Sequence, residues 1–288
     1  MSTALPTARA QADANSERQA QASTGRIVAD GLAVTRRNLR HWTRQPQLLV
    51  FSTIQPVMFV LLFRYVFGGS IGGSLPDGLD YVVFLLPGIF VQAVSFGATQ
   101  AAVGLAEDLQ GGIIDRFRSL PMARSAVLLG RTLSDLVRNT FVVLLMTAVG
   151  YLVGFRFEAG FLNAVGAIAI VVLFGFALAW VFSLVGLSVG GAEGAQAASF
   201  VTIFPLTFAS SAFVPIDTMP SWLQAFANNT PITAVVDAAR GLVVGGETAE
   251  MLIGGSVTEA VLKALAWIAG ILVVAAPLAV RRYRRSSG

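Results

Sequence analysis

Six stretches of the chain, at residues 48–67, 82–104, 126–155, 161–189, 197–213 and 261–280, are dominated by apolar side chains over lengths suited to crossing a lipid bilayer. A helix of about 20 such residues spans the roughly 30 Å hydrocarbon layer, and a spanning segment must satisfy its backbone polar groups within itself or in a closed barrel. Gly68-Gly69 ends the first stretch, Pro87 lies near the start of the second and Pro205 interrupts the fifth. The third carries Arg131, Asp135 and Arg138 in its first half, so that half either projects below the bilayer or faces other protein. Composition points the same way: 12% of the residues are charged, against about 25% in soluble domains, and the mean hydropathy is +0.71. The expected fold class is all-α, a polytopic membrane protein with six transmembrane helices between residues 46 and 280.

The placement of basic residues supplies an orientation. The segment before the first span holds Arg9, Arg18, Arg26, Arg36, Arg37, Arg40 and Arg44; the loop between spans two and three holds Arg116, Arg118 and Arg124; the tail at 281–288 holds Arg281, Arg282, Arg284 and Arg285. The intervening loops carry only Arg156 and Arg240. This asymmetry puts both termini and the second-to-third loop in the cytoplasm, and it reads the basic pI as topology rather than as nucleic-acid binding. Residues 1–25 have no apolar stretch of signal-peptide length and read as a disordered cytoplasmic tail. Nineteen arginines against one lysine hint at a GC-rich bacterial genome and no more; the location expected for the chain is a bacterial plasma membrane.

Three segments are neither spans nor plain loops. At 26–45, Val28, Leu32, Thr35, Leu39 and Trp42 share one helical face beside Arg36, Arg37, Arg40 and Arg44. That pattern fits an amphipathic helix at the inner leaflet, against lipid, against the protein's own cytoplasmic face, or both. At 107–121, EDLQGGIIDRFRSLP, an Ile113–Ile114–Phe117–Leu120 stripe lies beside Asp115, Arg116 and Arg118. It reads as a short docking helix for a soluble partner, with a solvated loop as the plainer alternative. At 215–250, Trp222 and Phe226 are four apart, as are Val235 and Ala239. These predict two short helices at or dipping into the outer membrane surface, with Asp237 and Arg240 spaced to pair on one helix face.

Several chemistries are missing from the sequence. There is no cysteine and a single histidine, His41, so no thiolate or multi-histidine metal site can be written. No G-x-x-x-x-G-K-[ST] loop occurs, and the one lysine, Lys263, heads an apolar stretch; ATP phosphates have no cradle here. The pairs Gly190-Gly191 and Gly245-Gly246 lack the strand–turn–helix setting of a nucleotide loop. A proton-driven carrier would show intramembrane acids; the nearest candidate, Asp135, is flanked by Arg131 and Arg138 and reads first as part of an ion cluster. What the spans offer instead is Gln92, Phe96, Thr99 and Gln100 on span two, Gln55 on span one, and Phe200, Phe204 and Phe208 along one stripe of span five. Together they describe a greasy cleft with a few hydrogen-bonding groups, a path for a hydrophobic or amphipathic molecule; lipid-facing or packing phenylalanines are the alternative.

Two runs, RFRSLPMARSAVLLGRTLSDLVRN at 116–139 and NNTPITAVVDAARGLVVGG at 228–246, closely resemble the permease subunits of type-2 ABC exporters, in particular their daunorubicin-resistance-like branch. The resemblance extends in order and spacing from about residue 27 to 285. It implies a permease that pairs with a second copy or a related permease, each seated on a separate ATPase subunit that binds ATP and Mg; no cofactor is expected in this chain. It further implies that 26–44 is a connecting helix and that 107–121 is the coupling helix, with Glu107, Asp108, Asp115, Arg116, Phe117 and Arg118 contacting the ATPase. The segment at 215–246 would form outer re-entrant helices. Drug-like polyketides and complex lipids are the substrates it implies, in an exporter without an ATPase site of its own. The rival reading is a membrane scaffold or sensor that anchors a soluble partner without transporting anything.

Overall fold

The computed structural model describes residues 24–43, 46–69, 73, 75, 79–111 and 124–285. Among these the chain is helical, without a strand. Helix α1 (Thr24–Thr43) is followed by α2 (Pro46–Leu62), which continues into a π-helical turn (Phe63–Phe67), and then by α3 (Tyr81–Gln110), α4 (Arg124–Leu152) and α5 (Phe161–Gly186). Next come α6 (Ala192–Phe208), a 3₁₀ turn (Ile216–Thr218), α7 (Ser221–Ala227), α8 (Pro231–Val244), α9 (Gly246–Ile253) and α10 (Val257–Arg285).

Among the described residues, four helices are long and apolar enough to cross a membrane: Tyr81–Gln110, Leu128–Leu152, Phe161–Gly186 and Val257–Tyr283. The first expected span is the continuous helix of α2 and its π turn, Pro46–Phe67. The fifth is shorter: helix α6 has 17 residues, about 26 Å at 1.5 Å per residue. The glycine pairs act as punctuation. Gly191, at positive φ, starts α6, and Gly245 and Gly246, also at positive φ, turn the chain from α8 into α9.

Helix α3 is the centre of the bundle and packs on α2, α4, α5, α6 and α8. It starts at Asp80, whose carboxylate accepts a hydrogen bond from the Val82 N–H (3.3 Å), as an N-cap should. It runs to Gln110, where the Gly111 N–H closes on the Glu107 carbonyl. Glu107 and Asp108 therefore occupy the last turn of α3, not a separate helix, because nothing between Gly104 and Gln110 breaks the ladder. The expected coupling-helix residues Asp115, Arg116, Phe117 and Arg118 lie outside the described residues, as do the tail at 1–23 and the last three residues.

Two expected surfaces change face. In α1 the buried side is Gly31, Val34 and Thr35, packed on α4, while Leu32 points away at 55% exposure. The Thr35 hydroxyl sits within hydrogen-bond distance of the Gly31 and Gly130 carbonyls (2.9 and 3.1 Å), and the close approach needs the missing side chain at Gly130. Helix α8 does not lie on a surface: nearly all of it is buried among α3, α5 and α10. Its charged pair is correspondingly internal, with Arg240 only 2% exposed.

Candidate transport cleft

The functional candidates of the spans converge on one cleft of about 390 Å³ between α2, α3, α4 and α6. Helix α3 contributes Gln92, Phe96, Thr99 and Gln100, which recur at three- and four-residue steps and so share a face. Helix α2 adds Gln55 and Pro56, α6 adds Gln196 and Phe200, and α4 adds Arg138, Asn139 and Val142. Gln92 is buried, Phe96 and Thr99 are half-buried, and Gln100 is exposed at the rim. The Thr99 hydroxyl bonds back to the Phe96 carbonyl (2.7 Å).

Helix α6 is divided lengthwise by four-residue steps. Ala195, Ser199, Ile203 and Thr207 are buried, most of them against α3, while Gln196, Phe200, Phe204 and Phe208 face outward. The outward stripe forms a row of rings leading away from the cleft. Phe96 meets Phe200 edge-on (centroids 5.9 Å apart), Phe200 stacks on Phe204 (5.3 Å), and tilted contacts carry the row from Phe204 to Phe208 (4.4 Å) and from Phe208 to Phe213 (5.1 Å). Phe213 then stacks on Phe63 (4.9 Å), and Phe63 on Phe59 (5.9 Å). Phe204 and Phe208 thus do not line the cleft itself; they extend it.

The α4 wall is not marked out by its own stretch of sequence, although a signal for it is present. Arg131 and Arg138 are seven residues apart on α4, as are Gly104 and Gly97 on α3. A Cβ at Gly104 would overlap the Arg131 guanidinium, and one at Gly97 would overlap the Asn139 amide oxygen. The two bare positions let α4 side chains lie across α3. Arg131 reaches Asp108, while Arg138 donates to the Gly97 carbonyl and pairs with Asp135 (3.3 Å). The expected three-residue cluster on α4 is extended to a second helix: Asp135 pairs with Arg138 and stays within electrostatic reach of Arg131, which also holds Asp108. A carboxylate in the last turn of α3 faces the unfavourable end of that helix's dipole and gains from such a cation.

At the α8 end a second polar network ties the bundle. Arg240 donates to the Phe84 carbonyl (3.1 Å) and the Ser211 carbonyl (2.8 Å), pairs with Asp237 (3.3 Å) and stacks on the Phe84 ring (3.8 Å). The Ser211 hydroxyl donates to Asp237 (2.8 Å). Burial pushes the Asp237 carboxyl up, opposed by Arg240 and Ser211; burial lowers the Arg240 guanidinium to about 10, which leaves it charged at neutral pH. Among the described residues no group of three or more His, Cys, Asp or Glu side chains is placed to hold a metal.

The sequence that builds these elements matches known proteins. The family model for ABC-2 type transporters aligns with residues 31–244. The chain belongs to that family. A daunorubicin resistance ABC transporter permease protein, DrrB1, of Streptomyces coeruleorubidus is 37% identical over 244 residues, covering 84% of this chain and 81% of the relative. A probable doxorubicin resistance ABC transporter permease protein, DrrC, of Mycobacterium tuberculosis is 29% identical over 262 residues, covering 91% and 90%. A putative transport permease of Cyanophora paradoxa is 23% identical over 239 residues, 79% of each chain. As an ABC-2 permease the chain is a membrane protein of the transporter's passage-forming class, and the matched region contains the cleft, the ring row and the Arg240 network.

Proposed function

We propose that this chain is the passage of an ATP-driven exporter for hydrophobic or amphipathic molecules, with drug-like polyketides or complex lipids as the substrate class. The continuity of the cleft with the ring row carries this reading. A volume of about 390 Å³ lies within the range of small-molecule pockets, and its polar groups give way to stacked phenylalanines rather than to a continuous hydrophilic pore. A scaffold that only anchored a partner would need neither feature.

In this reading the spans number six, with α2 and α6 completing the four longer helices, and both termini lie in the cytoplasm of a bacterial cell. Energy enters from a separate ATPase subunit, which holds ATP and Mg, through Glu107 and Asp108 at the end of α3 together with Asp115, Arg116, Phe117 and Arg118. Asp108 is joined to α4 through Arg131, so a push at that end moves α3 and α4 as a pair. Two permease copies, or this chain with a related one, face each other through the exposed stripe of α6; α3, buried inside each bundle, reaches that face only through the cleft. Gln92, Phe96, Thr99, Gln100 and Phe200 take the substrate, and Phe204 and Phe208 pass it toward the α7–α9 side.

The test is reconstitution of the chain with its ATPase and measurement of ATP hydrolysis and export in the presence of daunorubicin and of candidate lipids. Stimulated hydrolysis with outward transport is expected, and Phe204→Ala with Phe208→Ala should change which compounds are exported more than it changes basal hydrolysis. Unaided nucleotide hydrolysis by the purified chain, or labelling of 107–121 from outside the cell, would overturn the assignment.

A further inference from the structure

The cleft's polar groups are unbalanced in a way that bears on the molecule it takes. Among the described residues its lining has one cation, Arg138, and several carboxamides, but no carboxylate. Asp135, outside that lining, pairs with Arg138 (3.3 Å), and its second carboxylate oxygen is itself buried without a hydrogen-bond partner. Two of the carboxamides are also unfinished. Gln92 and Asn139, 3% and 2% exposed, each have an amide nitrogen without a hydrogen-bond partner. A buried donor left unpaired is destabilising, and the great majority of such groups in folded proteins have a partner. They sit on adjoining helices, α3 and α4, and line the same cleft as Arg138 and Phe200. The terminal torsion of a Gln or Asn amide is broad and roughly two-fold, so each amide can turn its N–H groups toward an incoming acceptor.

The geometry points to a head-group subsite formed by Gln92, Arg138 and Asn139, which takes the oxygen-acceptor end of an amphiphile, a carboxylate foremost, while the apolar body lies along Phe96 and Phe200. This inference rests on the cleft being the substrate passage. The planar guanidinium suits a carboxylate, and the two amides supply the donors that a desolvated anion requires. An ammonium head would meet the Arg138 cation and, among the described lining residues, no carboxylate; the ring faces of the phenylalanines would be what attracts it.

The experiment compares two fluorescent amphiphiles with the same pyrenyl-dodecyl body, one ending in a carboxylate and the other in trimethylammonium. Their binding to the full-length chain in lipid nanodiscs is measured against empty nanodiscs. The carboxylate probe should bind about tenfold more tightly, the scale of one charge-assisted hydrogen bond. Gln92→Leu should remove most of that preference and leave the ammonium probe unchanged. Arg138→Gln should do the same where it folds; Gln92→Leu carries the test if it does not. Phe200→Ala should weaken both probes alike. An ammonium probe that binds as tightly as the carboxylate, or a preference that survives Gln92→Leu, overturns the head-group inference while leaving the passage reading intact. Absence of specific binding by either probe, with Phe200→Ala without effect, overturns the passage reading itself.

Discussion

Helices α3 and α10 are nearly the same length and nearly equally apolar, with mean hydropathies of 1.9 and 2.2 over their most apolar windows, yet 89% of that window is buried in α3 and 17% in α10. Neither hydropathy nor length separates them. Glycine and alanine together number eight in each, but α3 has three glycines and α10 one, and the glycines sit where α3 is approached most closely. Helix α3 meets its neighbours through Gly88, Gly97, Gly104, Ala98, Ala101 and Ala102, and at Gly88 it runs against the backbone of Ala212. Helix α10 has Gly270 with nothing within contact distance of a Cβ, and it turns Val273, Val274 and Leu278 outward. In lipid the surroundings are as apolar as the core, so helices associate by close packing and polar contacts rather than by escape from water. The lesson is that inside and outside are read from where glycines admit a neighbouring backbone or side chain and from the partners of polar groups.

The largest expected effect tests the buried side of this comparison at its polar anchor. Arg240→Met should destabilise the purified chain by about 3–5 kcal/mol, since it leaves Asp237 without its cation among buried groups; adding Asp237→Asn should recover part of that loss. Thermal unfolding in detergent checks both. Next, Gly88→Ala should cost about 1–3 kcal/mol through overpacking against Ala212, whereas Gly270→Ala on α10 should leave the midpoint unchanged or raise it. Equal effects at the two glycines would break the contrast. A smaller effect is expected from Gly104→Ala, which displaces Arg131 from Asp108. The pair is partly exposed, so about 1 kcal/mol or less is at stake, and in an Arg131→Met background the Gly104→Ala substitution should have no further effect. The smallest perturbation is a probe. The chain has no cysteine, so Val273→Cys and Val91→Cys report separately; a lipid-soluble thiol reagent should label the first and spare the second. Protection of both would place a partner surface over α10.

Much of the secondary structure was legible because a bilayer admits few alternatives. Each apolar stretch of the sequence corresponds to a helix, and the Asn228–Gly246 run does contain α8. The boundaries that moved did so for local reasons. Helix α3 continues past Gly104 to Gln110 because that glycine accommodates Arg131 instead of ending the helix. In α1, Thr35 lies on the face its periodicity implies, but Gly31 and Val34 rather than Leu32 share the buried side. Small residues set that contact, and the apolar stripe did not show it. The Asp237–Arg240 pair was legible from its spacing, but its setting was not: Arg240 is buried and paired by two carbonyls, a carboxylate and a ring.

The cleft was legible in part. Gln92, Phe96, Thr99, Gln100 and Phe200 come together as their helical spacing implied, and Phe204 and Phe208 extend the row they form. Arg138, Asn139 and Gln196 join them unannounced, since nothing along the chain tells which polar residues on other helices will face the same space. The matching seven-residue intervals of glycine on α3 and arginine on α4 were the available signal. They become interpretable only as a pair of facing surfaces.

Taken alone, the order of residues determined that this chain is a helical membrane protein, and the distribution of arginine suggested which ends share a compartment. The physical cause is local: a backbone deprived of water must bond within its own segment. Which helix lies at the centre, which polar side chains share a cleft and which charges are buried were decided only by tertiary packing. Those outcomes depend on the fit between distant surfaces in a medium where every helix is nearly equally apolar.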